Sequence, residues 1–232
     1  MTLDPNPDVC VVVPVFDECS TIERTVTDLR RFFAHVVCVD DGSRDGSGRL
    51  ARAAGATVVT HPVNLGQGAA LQTGFDYVVR RTSAAFAVTF DADGQHLVSD
   101  AARMVERARD ERLDVVLASR FAGTTEAMPR SREAVLRAGV VFTRWTSGLP
   151  VTDAHNGLRV LSRQALTSIR LQLPRMAYAS ELTDAILPAG LRWAEMPTTV
   201  LYTDYSRAKG QRNSNSVNIL FDLALRRLRT VR

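Results

Sequence analysis

The chain has 232 residues, 45% of them hydrophobic and 23% charged, with a mean hydropathy of −0.06. That balance supplies one ample core and excludes a disordered chain. No apolar stretch approaches the roughly 20 residues of a membrane span, so any membrane contact is expected to be peripheral. The net charge is only +4, and of 29 basic residues Lys209 is the single lysine. Arginines are spread over helical patterns and aromatics make up 6%, which leaves no stacking platform for nucleic acid. Three cysteines, Cys10, Cys19 and Cys38, lack metal-ligand spacing; Cys10 and Cys38 lie in apolar runs and read as buried free thiols. Their odd number, with no leader pattern, fits a reducing cytoplasm.

In chain order, residues 9–15 form a continuous apolar strand ending at Pro14, Phe16 and Asp17. A helix is expected over residues 19–33, with Ser20 as N-cap and Glu23 three residues on. A strand at 35–39 closes on Asp40-Asp41-Gly42-Ser43, followed by a helix at 46–54 and a strand at 56–60. Helix 66–81 leads into the apolar run 86–90, which stops at Asp91-Ala92-Asp93 with Gln95 and His96 close behind. Helix 99–112 and strand 114–118 continue the alternation, which implies a mostly parallel sheet covered by helices on both faces.

After Arg120 the rhythm changes: a polar loop at 121–126, then a helix at 130–147. Val135, Leu136, Val140, Val141 and Trp145 form an apolar stripe there; core packing is the simpler reading, a shallow interfacial helix the rival. Strand 157–161, helices 163–169 and 179–187, and a strand at 192–202 broken by Pro197 follow. The chain ends in a polar segment, 203–216, and an amphipathic helix, 217–228, with a basic run of Arg226, Arg227, Arg229 and Arg232.

Four polar loops fall at the carboxyl ends of strands, the expected ligand crevice of an open α/β sheet. They are 14–18, 40–43, 64–68 and 91–96. The loop Asn64-Leu65-Gly66-Gln67-Gly68 opens a helix with small residues, so its N–H groups could approach a phosphate; a plain helix cap is the alternative. Asp91 and Asp93, two residues apart, would repel each other unless a hard divalent cation, Mg²⁺ or Mn²⁺, lies between them; a solvated turn is the alternative.

Together these loops resemble family 2 glycosyltransferases of the GT-A fold, near the dolichol-phosphate mannose synthase and polyprenyl-phosphate glycosyltransferase branch. The matching segments are VVVPVFDE, VCVDDGSRDGS, NLGQGAALQTGF, FDADGQH, ASRF, TDAHNGLRVLSR and YTDYSRAKGQ, spanning residues 11–211. Asp17 stands where the family usually has Asn, Gln67 where Lys is frequent, and Gly94 where this branch has Leu; the Pro pair usual after His96 is absent.

The resemblance implies one GT-A domain, a single Rossmann-like sheet with an acceptor-side extension. Residues 1–97 would bind the donor, 98–211 the acceptor, and 212–232 would form a C-terminal helix. It implies a UDP- or GDP-sugar donor contacted by Pro14, Phe16 and Glu18, with Asp41 recognising the base and Gly68, Asp91, Ala92 and Asp93 completing the donor site. Asp91, Asp93 and Gln95 would hold the cation against the diphosphate. On the acceptor side Asp153 is the candidate general base, with His155 as rival. Arg120, Arg132 or Arg130, Arg207 and Lys209 would form a cationic pocket for an acceptor phosphate. Glu181 fits either a structural or an acceptor-facing role.

The expected reaction is inverting transfer of a hexose to a polyprenyl phosphate, or to another acceptor such as a lipid-linked saccharide or cell-wall polymer. A nucleotidyltransferase would need a Gly-rich, Lys-bearing loop near residue 20, which is absent. A dehydrogenase would need G-x-G-x-x-G at the first helix, also absent. A binding module without activity is the remaining alternative. The C-terminal helix is the one candidate surface for a dimer.

Overall fold

Alternating burial along the first strand sets the architecture. In β1 (Asn6–Val15), Val9, Val11, Val13 and Val15 pack into one hydrophobic core while Cys10 and Val12 pack into a second. A strand buried on both faces must lie centrally in a helix-covered sheet, as its unbroken apolar run requires. The computed structural model describes residues 6–121, 130–153, 156–173 and 177–201, with the side chains of 130–136, 142 and 146 excepted.

Among the described residues the sheet has seven strands, in the order β3-β2-β1-β4-β6-β5-β7. They are β1, β2 (Phe33–Asp40), β3 (Thr57–Thr60), β4 (Phe86–Thr89), β5 (Val115–Ser119), β6 (Arg159–Ser162) and β7 (Trp193–Pro197). Only β6 runs antiparallel, between β4 and β5. Helices α1 (Ile22–Arg30), α2 (Ser47–Ala53) and α4 (Val98–Asp110) cover one face, with Ile22, Val26, Leu29, Ala51 and Met104 in its core. Helices α3 (Gln67–Arg81), α6 (Arg163–Ser168) and α7 (Tyr178–Ile186) cover the other with Leu71, Phe75, Val78, Leu166 and Leu182. Helix α5 (Arg130–Ser147) packs on α7. Strand order turns outward from β1 and β4, so their carboxyl ends flank the crevice where such sheets bind ligands.

Each element expected between residues 9 and 197 is present, and the differences lie at the ends. Helix α1 starts three residues late: Thr21, not Ser20, is the N-cap, and it makes no side-chain cap hydrogen bond. The preceding loop is held instead by a second loop, described below. Strand β7 stops at Pro197, which pairs with Ser119 at the end of β5, and the Thr198 N–H beyond it still donates to Ser119 O (3.1 Å). Pro14 is tolerated in central β1 because its N–H would face β4, past the last pair, Val12 with Thr89.

The stripe on α5 divides. Val140 is buried, whereas Val141 and Trp145 are each 66% exposed, so core packing does not account for these two. Cys10 and Cys38 are buried free thiols, each pushed up to about 12 by burial. The expected helix at 217–228 and the late polar segment lie outside the described residues.

Close contact between α3 and β1 depends on Gly74, where a Cβ would come 2.2 Å from Val12 Cγ1. Gly74→Ala is expected to lower stability by about 1–3 kcal/mol through overpacking. Urea unfolding should show a lower midpoint at unchanged slope, and Val12→Ala in the same chain should recover part of it.

Candidate active site

The loops after β1 and β2 are stitched together by hydrogen bonds between backbone N–H groups and side-chain oxygens. Asp17 adopts a left-handed conformation (φ 52°), which Asp and Asn accept more readily than other side chains. Its N–H donates to Ser43 Oγ (3.1 Å) and its Oδ1 accepts from the Arg44 N–H (3.0 Å). The Glu18 N–H donates to Ser47 Oγ (2.8 Å) and the Cys19 N–H to Asp45 Oδ2 (2.9 Å). The loop carrying Phe16 and Glu18 is thereby fixed to the loop that follows Asp41. An Asp–Asn difference at position 17 preserves this geometry.

Asp41 is buried and accepts three N–H donors: Leu65 (2.9 Å) and His61 Nδ1 (2.7 Å) on Oδ1, and Gly66 (2.7 Å) on Oδ2. An acceptor-only carboxylate requires that His61 carry its proton on Nδ1. Thr73 Oγ1 lies 2.9 Å from His61 Nε2.

Asp91 and Asp93 follow β4 into the crevice. Asp91 Oδ1 accepts the Gln67 side-chain amide (3.0 Å) and Oδ2 meets His96 Nε2 (3.2 Å). Gly157 backs directly onto this carboxylate, since a Cβ there would come 2.0 Å from Asp91 Oδ2. Arg159 is buried with its guanidinium 5.3 Å from the Tyr178 ring centroid, and its Nη1 has no hydrogen-bond partner among the described residues. Burial works against ionisation of Asp91, but the His96 hydrogen bond and the charges of His96, Arg159 and Arg120 outweigh it and lower its pKa. Asp93 goes the other way: burial and the Asp91 charge push it up to about 6, with Glu18 adding to the repulsion.

Gln67, opposite Asp91, therefore does by hydrogen bonding what a lysine would do by charge. Two further candidate donor-site residues, Gly68 and Ala92, are packed closely against protein. Gly68 is small because protein fills the space beside it, with Leu173 O 2.2 Å from where its Cβ would stand and Tyr178 Cβ at 3.0 Å. Ala92 has its side chain in the hydrophobic core, and its carbonyl accepts from Thr25 Oγ1 (3.3 Å).

A divalent ion fits this donor set in part. Asp91, Asp93 and the Gln95 amide are hard oxygen donors, yet among the described residues no three acidic, His or Cys side chains form a complete cage. That suits an ion held by one or two carboxylates and completed by ligand phosphates.

On the other side of β4, Arg120 and Asp153 form a buried pair. Arg120 Nε donates to Asp153 Oδ2 (2.6 Å), as does the Arg120 N–H (3.1 Å). Glu195 on β7 holds the Asp153 loop, accepting the Thr152 N–H (2.7 Å) and the Asp153 N–H (3.2 Å). The candidate base and the candidate phosphate ligand are thus each other's partner. Glu181 is buried and its Oε2 accepts the N–H groups of Gln172 (2.9 Å) and Leu173 (2.8 Å), contacts that hold this segment against α7. Arg207, Lys209 and His155, and the side chains of Arg130 and Arg132, lie outside the described residues.

The sequence reading gave no role to His61, His96, Arg159 or Glu195. His96 and Arg159 fall inside motifs already quoted, which was a usable signal; His61 and Glu195 carry none, because their partners lie 20 and 42 residues away.

Two outcomes follow from this geometry. Asp153→Ala removes a buried carboxylate that pairs with Arg120 and is expected to cost about 3–5 kcal/mol, read as a lower urea midpoint. Asp93 binds its proton more tightly folded than unfolded, so this contribution is full below about pH 4 and lost as pH rises through about 6. Without added metal, Asp93→Asn should melt higher than the parent at pH 7.5, with the gap closing by pH 4.5. A gap unchanged with pH would disprove the repulsion.

Comparison with known proteins places the whole arrangement. The family model for glycosyl transferase family 2 matches residues 10–169. A UDP-N-acetylglucosamine–dolichyl-phosphate N-acetylglucosaminyltransferase of Methanococcus voltae is 29% identical, covering 86% of this chain and 88% of its own length. A polyprenol monophosphomannose synthase of Mycolicibacterium smegmatis is 27% identical, covering 96% and 88%. Glucosyl-3-phosphoglycerate synthase from Mycobacterium tuberculosis, solved with Mn²⁺, UDP and glucosyl-3-phosphoglycerate, shares the fold at a TM-score of 0.68 and 21% identity over 94% of this chain and 80% of its own. The acidic pair at the end of β4 and the loops stitched around it therefore belong to a glycosyltransferase of family 2, built on the GT-A fold.

Proposed function

We propose that the chain is a metal-dependent, inverting hexosyltransferase that moves a sugar from a UDP- or GDP-sugar to a polyprenyl (dolichyl-type) phosphate. The observation that carries it is the Asp91–Asp93 pair at the β1/β4 crevice, one carboxyl held ionised and its neighbour pushed up to about 6. Such a pair is relieved by a cation, and the fold neighbour was solved with Mn²⁺ and UDP. Both curated relatives are named for polyprenol or dolichyl-phosphate acceptors.

In this reading Phe16 and Glu18 border the nucleoside and Asp41 meets the base. Asp91, Asp93 and Gln95 would hold Mg²⁺ or Mn²⁺, which as a Lewis acid would lower the cost of charge building on the departing diphosphate. Asp91 is kept in place for this by Gln67 and His96. Across β4, Arg120 offers its guanidinium to the acceptor phosphate, with Arg132, Arg207 and Lys209 as further cationic contacts. The phosphate oxygen attacks the anomeric carbon from the face opposite the leaving group, which inverts it. Such an oxygen is already anionic near neutrality, so Asp153 serves chiefly to orient Arg120 and has little proton to remove. An acceptor hydroxyl, as in a lipid-linked saccharide or cell-wall polysaccharide, would need Asp153 as a full general base.

Among the described residues no helix is long and apolar enough to cross a membrane. Val141 and Trp145, one turn apart on α5, and Leu187 beside Gly148 are exposed apolar groups suited to shallow contact with the bilayer that carries such an acceptor.

Nucleoside diphosphate release from a panel of nucleotide-sugars, with Mn²⁺, should rise on adding a short-chain polyprenyl phosphate. Indifference to that lipid would redirect the acceptor assignment. Asp93→Ala should lose at least ~100-fold in turnover, the scale of one electrostatic catalytic contact, without a lower melting temperature. Asp153→Asn should lose less than roughly tenfold, whereas a loss of 10²–10⁴, the range of general base catalysis, would favour a hydroxyl acceptor.

A further inference from the structure

We infer that the base site of this chain takes uridine rather than guanosine diphosphate, and that His61 sets this preference. The inference rests on the glycosyltransferase reading and deepens it, since the family resemblance left both nucleotides open. A carboxylate offers about four acceptor positions, two on each oxygen. At Asp41 three are taken by the chain itself. Oδ1 holds both His61 Nδ1–H and the Leu65 N–H, while Oδ2 holds the Gly66 N–H alone. One position remains, on Oδ2.

The two bases ask for different things. Guanine presents adjacent N1–H and N2–H donors, which a carboxylate meets only by giving one oxygen to each. With Oδ1 filled, one of those donors would be left without a partner on the buried Asp41 carboxylate. Uracil presents a single N3–H between two carbonyl oxygens, and one acceptor position satisfies it. A donor left unpaired on binding costs roughly tenfold or more in affinity.

The carboxylate cannot readily turn to free Oδ1. Asp41 N–H is tied to Val15 O (2.8 Å), and the 61–66 segment is pressed against the Asp41 turn, with Val63 C only 2.9 Å from where a Gly42 Cβ would stand. His61 is itself buried and held by Thr73 on its other ring nitrogen. The surroundings suit a flat base. Phe16, Val63 and Leu65, on the loops joined at Asp41, are three of the six exposed large hydrophobic side chains among the described residues. His61 acts through Asp41 and is a positioning residue.

Titration calorimetry of the full chain with UDP, GDP, CDP and ADP, each with Mn²⁺, tests this. UDP should bind at least roughly tenfold tighter than GDP. In His61→Ala the freed Oδ1 position should narrow the UDP/GDP ratio by threefold or more, and His61→Gln, which can place an amide N–H on Oδ1, should restore it. A merely structural His61 would weaken both nucleotides together and leave the ratio unchanged, which overturns its role. Tighter binding of GDP, or of either other nucleotide, overturns the uridine assignment while leaving the glycosyltransferase reading intact. Binding of none of the four overturns both.

Discussion

Two partly buried carboxylates two residues apart do not both stay ionised without help, and much of the site is built around that repulsion. The help comes from far along the chain. Gln67 donates from the start of α3, His96 from the loop beyond, and Arg159 brings a buried positive charge from β6. Most of it converges on Asp91; at Asp93 burial and the Asp91 charge prevail over the smaller help from His96 and the Gln95 N–H. A protein that stores such repulsion gives up stability for a place where an external positive charge is welcome, a common trade at functional sites. Gly157 lets the segment leading into β6 lie directly against Asp91, so residues from well-separated parts of the chain contribute to one electrostatic centre.

The same economy of reach appears at residues 198–201. The Thr198 N–H donates to Ser119 O (3.1 Å), the Thr199 N–H to Asp100 Oδ2 (2.8 Å) and the Leu201 N–H to Gln95 O (2.9 Å), with Val200 bridged to His96. Four residues thus tie the end of β5, which carries Arg120, to the loop of the acidic pair. Glu195, just before them, clamps the turn bearing Asp153. The Arg120–Asp153 pair and the Asp91–Asp93 loop are tied together by one short stretch of backbone, an arrangement that fits the proposed joining of two phosphorylated molecules.

Much of this was legible in the chain alone. Continuous apolar runs such as Val9 to Val15 can be satisfied only in a central parallel strand, and each polar loop after such a run had to fall at one sheet edge. The pairing of Asp91 with Asp93 was equally plain, because their repulsion needs only a spacing of two. Less legible were features that a local pattern mimics. Ser20 with Glu23 has the form of a capping box, yet the loop before α1 is fixed by Ser43, Asp45 and Ser47, and the helix starts at Ile22. The small residue at Gly68 suggests room for a phosphate, but Leu173 and Tyr178 use that room. The stripe on α5 has helical spacing throughout, and spacing does not say whether anything lies opposite; Val140 is covered while Val141 and Trp145 are not.

By itself, then, the sequence determined the layered architecture, the crevice and the acidic centre, since hydrophobic periodicity and short-range charge act between near neighbours. Only the tertiary structure decided which groups share a carboxylate. Asp153 with Arg120, Asp41 with His61, and Asp91 with Gln67 and Arg159 are separated by 20 to 68 residues or brought together from different strands. Hydrogen bonds reach about 3 Å and leave no periodic trace, so their partners become known only when the sheet has placed the strand ends side by side.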